Sequence, residues 1–174
     1  MLHALKLHPD SVCEAVGRID VWLTRQAAHL ALRVIVHGNI AALRIPSVIA
    51  GRADRLWEHT CCEAFIQAAD DAYFELNLSP STQWAAYRFN GYRQGMTNAQ
   101  VAAPAITVAA DAAQFELHAR IDCTQLSLGN EKWCAGLSVV IEEASGRKSY
   151  WALAHGPGKP DFHHADGFVL ELEP

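Results

Sequence analysis

The 174-residue chain has no excess of basic residues, no long apolar run and no regularly spaced cysteines. Fourteen Lys and Arg against nineteen Asp and Glu leave a formal charge of −5. That balance lacks the electrostatic footprint of a nucleic-acid binder and gives no attraction to an anionic membrane. No stretch approaches the roughly 20 apolar residues that a spanning helix needs. The opening MLHALKLHPD has no positive region ahead of an apolar run, so it does not read as an export signal. The five cysteines are Cys13, Cys61, Cys62, Cys123 and Cys134. An odd count without C-x-x-C excludes a zinc ribbon and disfavours a disulfide framework. Reduced, buried thiols are expected, which points to the cytoplasm. Amphipathic helical stripes are also scarce. Only 50–61 and 122–133 have room for a short helical turn.

What is present is period two. In 29-HLALRVIVHG-38, Leu30, Leu32, Val34 and Val36 alternate with His29, Ala31, Arg33 and Ile35. In 115-FELHARI-121, Phe115, Leu117, Ala119 and Ile121 oppose Glu116, His118 and Arg120. Strand patterns recur at roughly 2–7, 17–24, 42–46, 62–69, 72–79, 83–90, 105–110, 135–144, 149–155 and 167–172. Turn signals such as Ser79-Pro80-Ser81, Asn90-Gly91 and Gly156-Pro157-Gly158 separate many of them. About ten to twelve short strands with little helix predict an all-β protein, an antiparallel β-sandwich, with an up-and-down barrel as the alternative. No linker or repeat interrupts the pattern, so 1–174 reads as one domain.

Residues 62-CEAFIQAADDAYFELNLS-79 read as a hairpin with Asp70-Asp71 at its turn. One face carries the apolar residues. The other carries Glu63, Gln67, Tyr73, Glu75 and Asn77. The next strand, 83-QWAAYRF-89, adds either Trp84 and Arg88 or Tyr87 to that polar face, depending on register. Carboxylates and amides beside aromatic rings suit a sugar: flat rings cover its C–H faces, and polar groups satisfy its hydroxyls. The plain alternative is a solvated outer sheet face. Of the tryptophans, Trp22 reads as core and Trp133 as packing at the sandwich edge. Trp57, Trp84 and Trp151 lie near loops or the polar faces.

A second group lies in 155-HGPGKPDFHHADGF-168, with His155, Asp161, His163, His164 and Asp166. His and carboxylate side chains are metal ligands, and His59 is a candidate to join them. The same side chains also tie irregular loops to their own backbone. No nucleophile elbow, P-loop or dinucleotide fingerprint is present. Cys61 or Cys62 with His59 is a conceivable nucleophile pair, and Glu63 with Glu75 a conceivable glycosidase pair. The neighbourhood of His59, Asp161 and His163 is a third place for an enzyme's chemistry.

Asp54, Trp57, Glu63, Phe65, Tyr73, Glu75, Asn77, Ser79, Pro80, Trp84 and Tyr87 follow a recognisable order: Asp, Trp, E-x-F, then Y-x-E-x-N-x-S-P, then Trp and an aromatic strand. With this order the chain resembles the DOMON-like superfamily, which includes family 9 carbohydrate-binding modules and haem- and sugar-binding DOMON domains. Phe162-His163 and Gly167-Phe168 are similar to the closing segment of stand-alone bacterial members. The resemblance implies a β-sandwich with a ligand site on one sheet face or edge. It also implies, as an alternative, a haem held by a Met and a His, for which Met96, His155, His163 and His164 are candidates. The function expected is non-catalytic binding of a carbohydrate-like small molecule, an intracellular sugar or nucleotide-sugar. The residues expected to bind it are Trp57, Glu63, Tyr73, Glu75, Asn77, Trp84, Arg88 and Trp151. No cofactor is expected; the alternative of a haem or divalent metal would draw on His59, Met96, His155, Asp161, His163 and His164.

Overall fold

In the computed structural model, residues 1–68 and 71–174 are described. Their strands in chain order are β1 (His3–Ala4), β2 (Lys6–Leu7), β3 (Val16–Gln26), β4 (His29–Gly38), β5 (Gly51–Arg52), β6 (Cys61–Gln67) and β7 (Tyr73–Leu78). They continue with β8 (Gln83–Phe89), β9 (Thr97–Asn98), β10 (Ala105–Ala110), β11 (Gln114–Asp122), β12 (Trp133–Glu142), β13 (Lys148–Ala152) and β14 (Leu170–Leu172). Two sheets form. The smaller runs β1-β3-β4-β11-β10, and the larger runs β2-β13-β12-β6-β7-β8-β5, with β14 also on β12 and β9 also on β8. All pairings among the described residues are antiparallel except β5 with β8. This is the expected sandwich rather than a closed barrel. No helix of the described residues is long and apolar enough to cross a membrane.

The alternating side chains decide the layering. Leu30, Leu32, Val34 and Val36 of β4 and Phe115, Leu117 and Ile121 of β11 meet Ala64, Ile66, Leu76, Leu78, Leu137 and Val139 of the larger sheet in one buried cluster. Period-two strands present one apolar face each, and two such faces close on each other.

Several expected elements differ. The strand foreseen at 2–7 is split: β1 pairs with β3 and β2 with β13. Leu5 sits between them, buried, and its N–H bonds to Ile19 O at 2.9 Å, so the chain changes sheets there. Residues 42–46 form only an isolated bridge, Leu43 to Glu143. The 50–61 and 122–133 segments each hold one short 3₁₀ turn, Leu56–Glu58 and Thr124–Leu126. Asp70, expected at the hairpin turn, lies outside the described residues. Trp22 is not core. It pairs with Arg33 on the outer face of the smaller sheet, whose guanidinium lies 4.8 Å from its ring. Trp133 lies deeper than expected: it is buried in the main core beneath the Arg25 guanidinium at 3.5 Å.

A cleft over two buried carboxyls

The outer face of the larger sheet is not solvated. Every residue of β7, and of β6 up to Ile66, is buried, on both sides of the strand. A second apolar cluster accounts for this: Leu56, Cys61, Phe65, Tyr73, Ala85, Tyr87 and Phe89, with Trp57, Phe162 and Phe168 packed against it. Three segments lie over the sheet: the turn at Leu56–Glu58, the turn after β8, and 155–168. Gly136 lets the last of these settle, since a Cβ there would stand 2.9 Å from Gly167 O. Gly156 does the same for the His164 ring, 2.5 Å from where its Cβ would be.

Register sets what stands under the cover. Ser138, Glu63, Asn77 and Ala85 form one row across β12, β6, β7 and β8. Phe65, Glu75 and Tyr87 form the next, and Gln67, Tyr73 and Phe89 the one after. The register therefore selects Tyr87, not Trp84 and Arg88, for this face. Tyr87 Oη donates to Asp54 Oδ1 at 2.7 Å, and Trp57 packs edge-on against the Tyr87 ring at 5.8 Å. The Asp, the Trp and the aromatic strand thus support one another in space.

Between these segments opens a cleft of about 540 Å³. Its walls include Trp57, Phe89, Met96, Tyr150 and Phe162. Glu63, Glu75 and His163 line it below, and Glu58, Arg93 and Lys148 add charge. Glu63 is 3% exposed, and its Oε1 has no hydrogen-bond partner; Oε2 receives only a long bond, 3.5 Å, from Ser138 Oγ. Burial, and then the charge of Glu75, push the Glu63 carboxyl well above the ordinary range, opposed by Ser138 and Arg93. Glu75 is raised as well, chiefly by burial, with Asn77 and Arg93 pulling the other way. Two neighbouring carboxyls in so dry a place resist ionising together.

One hydrogen-bond chain holds His163 in place. Arg93 N donates to Tyr73 Oη at 3.1 Å, so the phenol proton is free to go to His163 Nδ1 at 2.8 Å. With the phenol as donor, the ring accepts at Nδ1 and carries its proton on Nε2. Burial, with Arg93 nearby, lowers its pKa to about 4, so the ring is neutral near pH 7. Nε2–H faces Glu75 Oε2 at 3.7 Å, longer than a hydrogen bond. Asp161 anchors the segment: it accepts from Arg93 Nη2 at 2.7 Å, from His163 N at 3.0 Å and from the Tyr92 hydroxyl.

The expected binding residues thus divide. Trp57, Glu63 and Glu75 line the cleft. Asn77 is fully buried beneath it and positions Glu75, donating to Oε1 at 2.7 Å while accepting from Cys61 Sγ at 3.7 Å. Tyr73 supports His163 and lines a neighbouring hollow with Tyr92, Asn90 and His164. Trp84, Arg88 and Trp151 stand on the opposite side of the sheet. Trp84 pairs with Leu78 and packs on the main core, and Arg88 bonds Asn90 at the edge. Trp151 pairs with Val139 in that core, its Nε1 donating to Ser149 Oγ at 3.1 Å.

The metal candidates disperse. His59 Nδ1 bonds Glu142 at 2.7 Å, His155 donates to Lys6 O at 2.8 Å, and His164 Nδ1 accepts from Asp166 N at 3.2 Å. Met96 and His163 do share the cleft. Among the described residues no group of three His, Cys, Asp or Glu is arranged to hold a metal ion. The Cys–His nucleophile pair does not assemble either. Cys61 and Cys62 are fully buried, burial pushes the Cys61 thiol well up and Cys62 to about 12, and His59 is engaged with Glu142. Phe89, Tyr150 and Phe162 were not foreseen. Phe89 continues the odd-numbered period of β8 and was legible; Tyr150 and Phe162 depend on chain-distant packing.

No protein-family model and no curated protein matches the chain. Solved structures do. A candidate carbohydrate-binding protein from Bacteroides uniformis superposes with a TM-score of 0.75 at 16% identity, over 99% of this chain and 86% of that one. A family 9 carbohydrate-binding module from Caldicellulosiruptor kristjanssonii, in complex with glucose, gives 0.53 at 12% identity over 97% and 83%. In complex with cellotriose it gives 0.53 at 11% over 97% and 80%. At such identities the likeness is one of fold: the chain shares the β-sandwich of these carbohydrate-binding proteins.

Proposed function

We propose that the protein is a non-catalytic, DOMON-like binding module for a small sugar, held in the cleft above Glu63 and Glu75. The observation that carries this reading is the unpartnered Glu63 Oε1, buried on a cleft that also holds the Trp57 ring. A buried acceptor without a donor costs about 1–3 kcal/mol, which a ligand donor would recover. The aromatic walls suit the C–H faces of a pyranose ring, and the volume is that of a small-molecule pocket. Fold neighbours that bind glucose and cellotriose support the ligand class. Five free thiols support a reducing, cytoplasmic setting.

Thermal shift and titration calorimetry against mono- and disaccharides test the reading. A sugar that raises Tm, with Trp57→Ala weakening it about tenfold or more, is the expected result. No stabilisation by any sugar overturns it. A haem site is the second reading, favoured by Met96 and His163 sharing the cleft. Against it, His163 Nδ1 is committed to Tyr73 and Nε2 faces Glu75. Absence of a Soret band after haem titration would end it.

A further inference from the structure

We infer that the floor of the cleft is a site for a primary ammonium group, so that the preferred ligand is an amino sugar rather than a neutral one. This rests on the sugar-binding reading for the ring, but not for the charged group. Buried carboxyls are ordinarily found with a cation or a full set of hydrogen bonds. Glu63 and Glu75 have neither.

The groups facing them can be taken element by element. From β12 comes Ser138, whose bond to Glu63 is 3.5 Å long. From β7 comes Asn77, which satisfies only Glu75 Oε1. Cys61 of β6 is directed to Asn77 and its own backbone neighbour. From the closing segment comes His163, which burial and the nearby Arg93 keep neutral, 3.7 Å from Glu75 Oε2. Arg93 is the nearest guanidinium, and its Nη2 is tied to Asp161 at 2.7 Å. Lys148 of β13 lines the same cleft but forms no ion pair with either carboxyl.

Two acceptor oxygens on neighbouring strands, Glu63 Oε1 and Glu75 Oε2, therefore take no hydrogen bond from any described residue. A sugar hydroxyl brings one donor and turns its own lone pairs toward the second carboxyl. An ammonium brings three donors, no acceptor and the missing positive charge. It also lets both carboxyls ionise together, which burial alone opposes. The aromatic walls add cation–π attraction for the same charge.

Calorimetry on the purified protein near pH 7 with glucosamine, glucose and cyclohexylammonium tests this. Glucosamine binding at least about tenfold more tightly than glucose is the expected result, with Glu63→Gln reducing the preference to near unity while the protein keeps its circular dichroism. Cyclohexylammonium binding without either sugar upholds the ammonium site and overturns the carbohydrate reading. Glucose binding as tightly as glucosamine overturns the inference and leaves the carbohydrate reading standing. Failure of all three ligands overturns both.

Discussion

Tyr73 and His163 stand 90 residues apart in sequence and share one hydrogen bond, from Oη to Nδ1 at 2.8 Å. Arg93 N donates to the phenol oxygen, and with the phenol proton directed to Nδ1 the imidazole proton sits on Nε2, facing the cleft. Tyr73→Phe removes an acceptor from Arg93 N and a donor from Nδ1. A loss of about 1–3 kcal/mol is expected, measured by urea denaturation. Nitrogen NMR of the imidazole should show Nε2–H in the parent and a mixed tautomer in the variant.

The same histidine makes stability depend on acidity. Its folded pKa, about 4, lies below its unfolded value, so the unfolded chain binds the extra proton first. Stability is thus lost as pH falls from about 6.5 to about 4, by on the order of 3 kcal/mol. Denaturation of the parent and of His163→Gln across that window should show a gap that closes toward low pH as the parent loses its advantage.

Glu63 works in the opposite sense. Its carboxyl is raised, so the folded state holds a proton that the unfolded state releases, and stability falls as pH rises through the folded pKa. Glu63→Gln removes this penalty and leaves Glu75 without a competing charge. The variant should melt higher than the parent at pH 8 and lose that margin as pH approaches the ordinary carboxylate range. Each 1 kcal/mol appears as about 2–4 °C in Tm for a chain of this size.

The tryptophans separate binding from folding. Trp57→Ala should weaken sugar binding with little change in Tm, since Trp57 lines the cleft and is only partly buried. Trp151→Ala should cost about 3–5 kcal/mol of stability, because its ring lies in the main core. Trp84→Ala should also act on stability, more mildly, and leave the affinity of the folded protein unchanged. Calorimetry and thermal melts on the three variants separate the two effects.

Thiol labelling gives a check on the closed face. Cys61, Cys62 and Cys123 are buried, while Cys13 and Cys134 are partly exposed. Native protein should react with a thiol reagent at the latter two, and all five should react in denaturant.

The strands were legible because alternation is local: Tyr73, Glu75 and Asn77 share a side of β7 whatever lies around them, and Glu63 joins them through the hairpin register that pairs it with Asn77. Trp84 and Arg88 were not, because the parity of β8 depends on the Ser79–Gln83 turn. Leu78 pairs with Trp84, so odd-numbered residues meet odd-numbered ones. A connection one residue longer or shorter would have brought Trp84 and Arg88 to the cleft instead. Trp151 depends on which strand lands beside β12, which no local pattern states. Nor did the polar row announce that it would be roofed. That outcome rests on Phe162 and Phe168 arriving from the far end of the chain, over a strand that keeps Gly136 bare.

Along β6 and β7 each strand serves two masters, since even-numbered side chains build the sandwich interior and odd-numbered ones face the roofed side. Substitutions can therefore drift along one set without disturbing the other. A lineage could change the chemistry of the cleft at positions 63 and 75 alone, on a framework whose interior stays as it was.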